Sequence, residues 1–352
     1  MEKLKVNIWP TGAAHWFNGS YMEPNLIPCR RLNPVIEWVK SSEYTPPFHR
    51  GLSEFDGITI VEGVWMWNWG EDWSNALGGN DVIKKLKSKY KVGLLNEALY
   101  LGVGREHESL HIQYFERFKD HYEYILTWDP YLLDKYPNNT RFCPAAYTWI
   151  READVKIHQK TKNISMVYSH QNAYEGHIMR HDVANYYYEK YDSYYDDIRS
   201  REVSHDGHSI QFPKIHFHGS GQKNRNGKSD IATSPYYNRH LEDKGDGLRD
   251  YRFTVVIENG KLKNGFSEKI IDAFLTGTIP IYWGPDNIGD FFDDRGIIQA
   301  NNAKDIIEII ESINPESDYE RMFPYVEKNY QIAKDKYEYN EYCVYEHIKH
   351  LI

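Results

Sequence analysis

The sequence predicts an α/β protein of two domains, each built on a mostly parallel sheet. Three observations predict it. Short apolar runs of strand length alternate with helix-like stretches in both halves of the chain, the pattern of a parallel sheet covered by helices. The 352 residues suit two domains of ordinary size. A polar stretch, READVKIHQKTKN over 151–163, interrupts the pattern, which restarts beyond it. The boundary is therefore expected at 155/156, giving domains over 1–155 and 156–352.

In the first half, Leu4 to Trp9 and Gly57 to Val61 are apolar runs of strand length. The second leads into the aromatic segment Trp65-Met66-Trp67-Asn68-Trp69. Val82 to Tyr90 reads as a helix, and Val92 to Leu95 as a short buried strand ending in Asn96-Glu97. Tyr124 to Trp128 is a further strand, stopped at Asp129-Pro130. In the second half, Ile164 to Tyr168 is a strand and Gly176 to Lys190 a helix. Lys214 to His218 is a strand leading into Gly219-Ser220-Gly221. Residues 222–247 are polar and glycine-rich and read as a mobile loop. Phe253 to Ile257 and Ile279 to Tyr282 are strands flanking an apolar helix that opens at Ser267 and stops at Gly277. Helices over Asn302 to Ile313 and Asp318 to Lys334 follow.

Composition narrows the function classes. With 41% hydrophobic and 26% charged residues the chain can build real cores. A net charge of −9 argues against a nucleic-acid partner. Cys29, Cys143 and Cys343 lie far apart and make no metal or redox spacing, which fits a reducing cytosol. The amino-terminal MEKLKVNIWPTG lacks the apolar stretch of a signal peptide, and no segment approaches the ~20 apolar residues of a spanning helix. A cytoplasmic protein without a transmembrane segment is expected.

The most informative stretch is YRFTVVIENGKLKNGFSEKIIDAFLTGTIPIYWGP, residues 251–285. A buried strand ends in Glu258-Asn259, a polar loop follows, and Ser267-Glu268-Lys269 opens the apolar helix. Polar residues thus fall past the carboxyl end of a strand and at a helix amino terminus, where parallel sheets bind ligands. Ser267 is placed to cap the helix. Lys269 in the first turn costs ~0.3–1 kcal/mol unless an anion, such as a diphosphate, lies nearby. Glu268 can accept hydrogen bonds from ribose hydroxyls. Ser-Glu-Lys alone would read as solvated helix residues; the flanking Glu258-Asn259 and TIPIYWGP make the ligand site the stronger reading.

This stretch resembles the donor-binding signature of the α-1,3/1,4-fucosyltransferases, glycosyltransferase family 10. The likeness is specific over Arg252 to Pro285 and weaker over Val92 to Phe292. It implies two Rossmann-like domains facing a cleft, the GT-B architecture, with an N-terminal domain for a glycan acceptor and a C-terminal one for the nucleotide-sugar donor, GDP-fucose. Glu258 and Asn259 match the family's Phe-Glu-Asn, and Glu268 and Lys269 its Glu-Lys, implying a ribose and a phosphate contact. Ser169 to Arg180 (SHQNAYEGHIMR) resembles a serine-containing loop leading to a helix whose arginine contacts the donor diphosphate. That role falls to Arg180, whose forked guanidinium suits phosphate oxygens. The alternative for Arg180 is a surface position with an acidic partner. Gly219 matches a glycine beside the nucleotide. Where the family often has a tyrosine lining the donor site, this chain has Gly265; either Phe266 or another aromatic fills the space, or the donor sugar differs.

Family members invert the anomeric centre, which needs a base for the acceptor hydroxyl proton. Glu97 is the matching position, with Glu106 and Glu108 as nearby competitors. Lys269, Arg180 and the helix amino terminus would stabilise the diphosphate leaving group. The chain has no Asp-x-Asp, and Asp196-Asp197 and Asp293-Asp294 read as solvated charge, so no obligatory metal or other cofactor is expected. Trp65 and Trp67, with Trp69, share one face if that segment is a strand, as an acceptor platform or as core. His107 and His111 read as non-ligands. The expected function is inverting transfer of L-fucose from GDP-fucose to a glycan hydroxyl. Two other readings stand beside it: a transferase of the same architecture using another nucleotide sugar, and a non-catalytic carbohydrate-binding protein with a relic donor site.

Overall fold

The computed structural model describes residues 3–10, 35–39, 52–62, 86–95, 112, 115–169, 171–198, 209–211, 214–220, 241, 243–338 and 340–352. The chain divides into two units. One comprises Met1–Tyr147, Lys263–Gly265 and Tyr339–Ile352; the other comprises Thr148–Leu262 and Phe266–Glu338. Each carries a six-stranded sheet, so the α/β class with two Rossmann-like sheets is what the chain adopts.

In the first unit, β1 (Leu4–Pro10), β2 (Ile36–Trp38), β3 (Glu54–Glu62), β4 (Lys87–Leu95), β5 (Tyr124–Thr127) and β6 (Thr140–Phe142) lie in the order β2-β1-β3-β4-β5-β6. Every pairing is parallel. A short helix, α1 (Pro130–Lys135), is capped by Asp129, whose side chain accepts from the amides of Tyr131 and Leu132. The helix expected over Val82 to Tyr90 is corrected in its described part: Lys87 to Tyr90 belong to β4 and pair with β3. Lysines at 87, 89 and 91 alternate with Ser88 and Tyr90, a period of two that suits a strand.

In the second unit, β7 (Lys162–Ser169), β8 (Ser209–Gln211), β9 (His216–Ser220), β10 (Tyr251–Ile257), β11 (Ile279–Trp283) and β12 (Ile298–Gln299) lie in the order β12-β11-β10-β7-β9-β8. Only β8 runs antiparallel to its neighbour, β9. β10 sits centrally between β7 and β11 and is buried along almost its whole length, which is why residues 253–257 read as a near-continuous apolar run broken only by Thr254. From β7 the chain goes first to one side (β9) and then to the other (β10, β11, β12), so the order reverses between β7 and β10. Helices α2 (Glu175–Ile198), α3 (Glu268–Leu275), α4 (Ala303–Ser312) and α5 (Pro315–Ile332) accompany the sheet. Apolar residues of α2, α4 and α5, among them Val183, Ile306 and Met322, pack with Phe253, Val255 and Ile281 in one core.

The last helix, α6 (Asn340–Ile348), belongs to the first unit. Its Val344 and Ile348 join Val6, Ile58, Ile60 and Leu126 in that core. Tyr124 also donates its hydroxyl to the His347 carbonyl at 2.6 Å. The division at Tyr147/Thr148 and this return both differ from a single boundary at 155/156. The polar stretch over 151–163 read as a linker because its side chains bond rather than pack. Lys160 donates to the carbonyls of Arg249 (2.9 Å) and Thr276 (2.8 Å) and to Thr278 Oγ1 (2.9 Å), and Asp154 pairs with Arg249 at 2.7 Å.

Two further expectations are corrected. Asp293 is not solvated: it is 8% exposed, takes Arg295 at 2.6 Å and Lys328 at 2.8 Å, and these hydrogen bonds hold its carboxyl far below the usual range. Residues 244–247, at the end of the stretch read as a mobile loop, form a 3₁₀ turn whose Gly245 and Gly247 are buried and which Asp243 caps. Among the described residues, no helix is long and apolar enough to cross a membrane.

Candidate functional site

The carboxyl ends of β7 and β10 flank the point where strand order reverses, the position at which open parallel sheets bind ligands. Here α2 meets the residues after β10. The Gly176 amide, at the start of α2, donates to the Asn259 carbonyl at 3.1 Å. A Cβ on Gly176 would lie 1.7 Å from the Glu258 carbonyl oxygen, so this approach of helix to backbone requires glycine. Gly176→Ala is expected to force α2 off the end of β10. Overpacking of this kind costs about 1–3 kcal/mol, which thermal unfolding should register as a midpoint lowered by several degrees.

Arg180, one turn along α2, is only 5% exposed, which excludes the surface alternative. Its Nε donates to the Ile257 carbonyl at 3.1 Å, and its Nη2 to the same carbonyl and to Asn259 Oδ1 at 3.0 Å. Burial pulls the guanidinium down to about 10 against the opposing pull of Glu258 and Glu268, so it stays charged at neutral pH. Nη1 has no hydrogen-bond partner among the described residues and remains available to a ligand.

Glu258 is 3% exposed, and both of its oxygens are engaged. One accepts from the Ser267 amide at 3.0 Å and from the Tyr282 hydroxyl at 3.4 Å; the other accepts from the Ser267 hydroxyl at 2.6 Å. Ser267 caps α3, its Oγ accepting from the Lys269 amide. Lys269 Nζ lies 3.0 Å from Ser267 Oγ, 3.2 Å from Glu268 and 3.7 Å from Glu258. The anion that a lysine at this helix end calls for is thus supplied by the chain's own carboxylates.

The charges continue inward. Burial opposes ionisation of Glu268, but Lys269, Lys244 and hydrogen bonds from Lys269 and Ser267 outweigh it and hold the carboxyl down at about 2. Lys244 reaches Asp272 at 2.6 Å, and Asp272 also accepts from Thr148 Oγ1 (2.5 Å) and the Trp149 amide (3.0 Å). Lys269, Glu268, Lys244 and Asp272 form an alternating row that fixes the first two turns of α3. The result is a corner with two helix amino termini and two cations, Arg180 and Lys269, suited to an anionic ligand.

The other expected site residues fall as follows. Gly219 lies on β9, and a Cβ there would sit 2.0 Å from the Tyr168 carbonyl oxygen, so β7 demands glycine at that position. Phe266 is 1% exposed and packs on Phe291, Phe292 and Tyr337 at ring separations of 4.8, 5.5 and 5.3 Å, so it is core and does not fill the space left by Gly265. Glu97, Trp65 and Trp67 lie outside the described residues. β4 ends two residues before Glu97, with Val92 to Leu95 buried. Sequence reasoning missed Gly176, Tyr282, Lys244 and Asp272. A glycine in a helical stretch is a hint that something presses close; the other three carry no local signal. Among the described residues, no group of three or more His, Cys, Asp or Glu is placed to hold a metal ion.

No family model matches the chain. Over 74 residues it is 32% identical to the α-(1,3)-fucosyltransferase FucT of Helicobacter pylori, a match that covers 21% of this chain and spans 16% of that protein's length. Among solved structures, an α1,3-fucosyltransferase with GDP-fucose has a TM-score of 0.44 at 14% identity, covering 91% of this chain and 81% of that one. The Anabaena protein HepE in complex with UDP and glucose has a TM-score of 0.49 at 8% identity, covering 99% of each chain.

Proposed function

We propose that this protein is an inverting GT-B glycosyltransferase that moves L-fucose from GDP-fucose to a hydroxyl of a glycan acceptor. The observation that carries the reading is the convergence of Arg180, Asn259 and Lys269 at the carboxyl ends of β7 and β10. The short stretch of identity to a bacterial fucosyltransferase supports the choice of sugar. In this reading the diphosphate lies between the amino termini of α2 and α3. Arg180 Nη1 and Lys269 Nζ take its oxygens and stabilise the charge that grows as the glycosyl bond breaks. Glu258 holds Ser267 and Lys269 in place, and Asn259 orients Arg180. Glu97 takes the acceptor proton, and Trp65 and Trp67 form the acceptor platform. No metal is assigned a step.

A second reading, transfer from a different nucleotide sugar, is favoured by one observation: Gly265 offers no side chain, and Phe266 is committed to the core. The test is thermal unfolding against GDP-, UDP-, CMP- and dTDP-sugars. A ligand at ~100 times its Kd adds about 2.7 kcal/mol, a midpoint rise of several degrees. A rise with GDP and GDP-fucose alone is the expected outcome. A rise with another nucleotide replaces the donor, and glycan binding without any nucleotide response identifies a carbohydrate-binding protein instead.

A further inference from the structure

We propose that His177 is a third donor to the phosphoryl group bound by Arg180 and Lys269, acting as an uncharged imidazole through Nδ1–H; this rests on the diphosphate reading of the site. His177 follows Gly176 in the first turn of α2 and lies three residues before Arg180, on the helix face that meets the end of β10. It is 6% exposed, yet its buried Nδ1 has no hydrogen-bond partner among the described residues. A buried polar atom left in this state is costly and calls for a partner outside the protein.

Asn259 lies beside the imidazole, and its Oδ1 accepts from Arg180 at 3.0 Å. Donation through Nδ1 uses the tautomer with its proton there, which the His177→Asn and His177→Gln comparison tests. The charged and titratable groups around the ring are Tyr174, whose ring centre lies 4.9 Å away, Arg180 and His181 on α2, and Lys269 on α3. Burial, reinforced by these groups, pulls the imidazole down to about 3, so it is neutral at physiological pH. With the buried Nδ1 turned to the ligand, the corner would offer three kinds of donor, Arg180 Nη1, Lys269 Nζ and His177 Nδ1. A phosphoryl oxygen would satisfy the buried one.

The experiment is calorimetric titration of GDP and of inorganic pyrophosphate into the wild type, His177→Ala, His177→Asn and His177→Gln, at pH 6 and pH 8. Unfolding midpoints without ligand check that each variant folds. Loss of a hydrogen bond to a charged group is expected to weaken binding about 10-fold or more in the Ala variant. Asn, whose amide nitrogen falls near the Nδ1 position, should stay within about threefold of wild type, and Gln, which mimics Nε2, should behave like Ala. The wild-type to Ala ratio should be the same at both pH values, because a neutral donor does not titrate between them. Equal affinity of wild type and Ala for both ligands overturns the inference while leaving the donor reading standing, as does Gln binding better than Asn. A ratio that grows at pH 6 overturns the uncharged donor. Binding of pyrophosphate without GDP keeps the inference and removes GDP as the nucleotide; binding of neither removes both. Should Ala unfold, the Asn-to-Gln comparison decides.

Discussion

Lys269→Ala is expected to lower kcat for transfer by about 10²–10³, the loss seen when one preorganised donor to a developing negative charge is removed. The ammonium sits at the amino terminus of α3, 3.0 Å from the capping Ser267 Oγ. A second effect must be separated from the first. Lys269 also compensates Glu268 and Glu258, so the Ala variant leaves two carboxylates less well neutralised. Lys244, 3.9 Å from Glu268, and the hydrogen bonds of Glu258 to Ser267 remain, so the fold should survive with a lowered midpoint. Because the leaving diphosphate gains charge only as the bond breaks, the loss should fall mainly on kcat and less on KM. Steady-state rates with GDP-fucose and a soluble glycan acceptor, beside the unfolding midpoint, distinguish the two effects. A kcat within threefold of wild type in a folded Lys269→Ala protein would remove Lys269 from the chemistry.

Glu97→Gln should cost a comparable or larger factor, about 10²–10⁴ in rate, by removing the proposed base while keeping the side chain's shape. Val92 to Leu95 are buried at the end of β4, in a sheet whose pairings are all parallel, so Glu97 follows a strand's carboxyl end as catalytic residues in such folds do. The proposed donor site lies in the other unit, and the expected GDP-induced rise in unfolding midpoint should therefore be unchanged. Glu106→Gln and Glu108→Gln serve as controls and should retain rates within several-fold of wild type. Full activity in Glu97→Gln, or a loss confined to one of the controls, would reassign the base.

What the sequence by itself determined is local. β10, α3 and β11 were legible because a buried central strand is apolar at most positions on both faces, and because a serine before an apolar helix caps it; both are properties of about ten adjacent residues. The polar residues after β10 were legible for the same reason. What only the tertiary structure decided depends on pairs far apart in the chain. Arg180 meets Asn259 across 79 positions, and Thr148 meets Asp272 across 124. The need for glycine at 176 arises only because α2 presses on the Glu258 carbonyl, and Lys269 gains a second carboxylate beside Glu268 only because β10 delivers Glu258. The same cause explains the boundary. Lys160 and Asp154 look like linker residues until their acceptors and partners near 249–278 are in place, and α6 looks like the end of the second unit until Val344 and Ile348 find the first unit's core. Periodicity and capping are written into neighbouring residues; the partners that satisfy buried charge and fill a core are chosen by how distant segments meet.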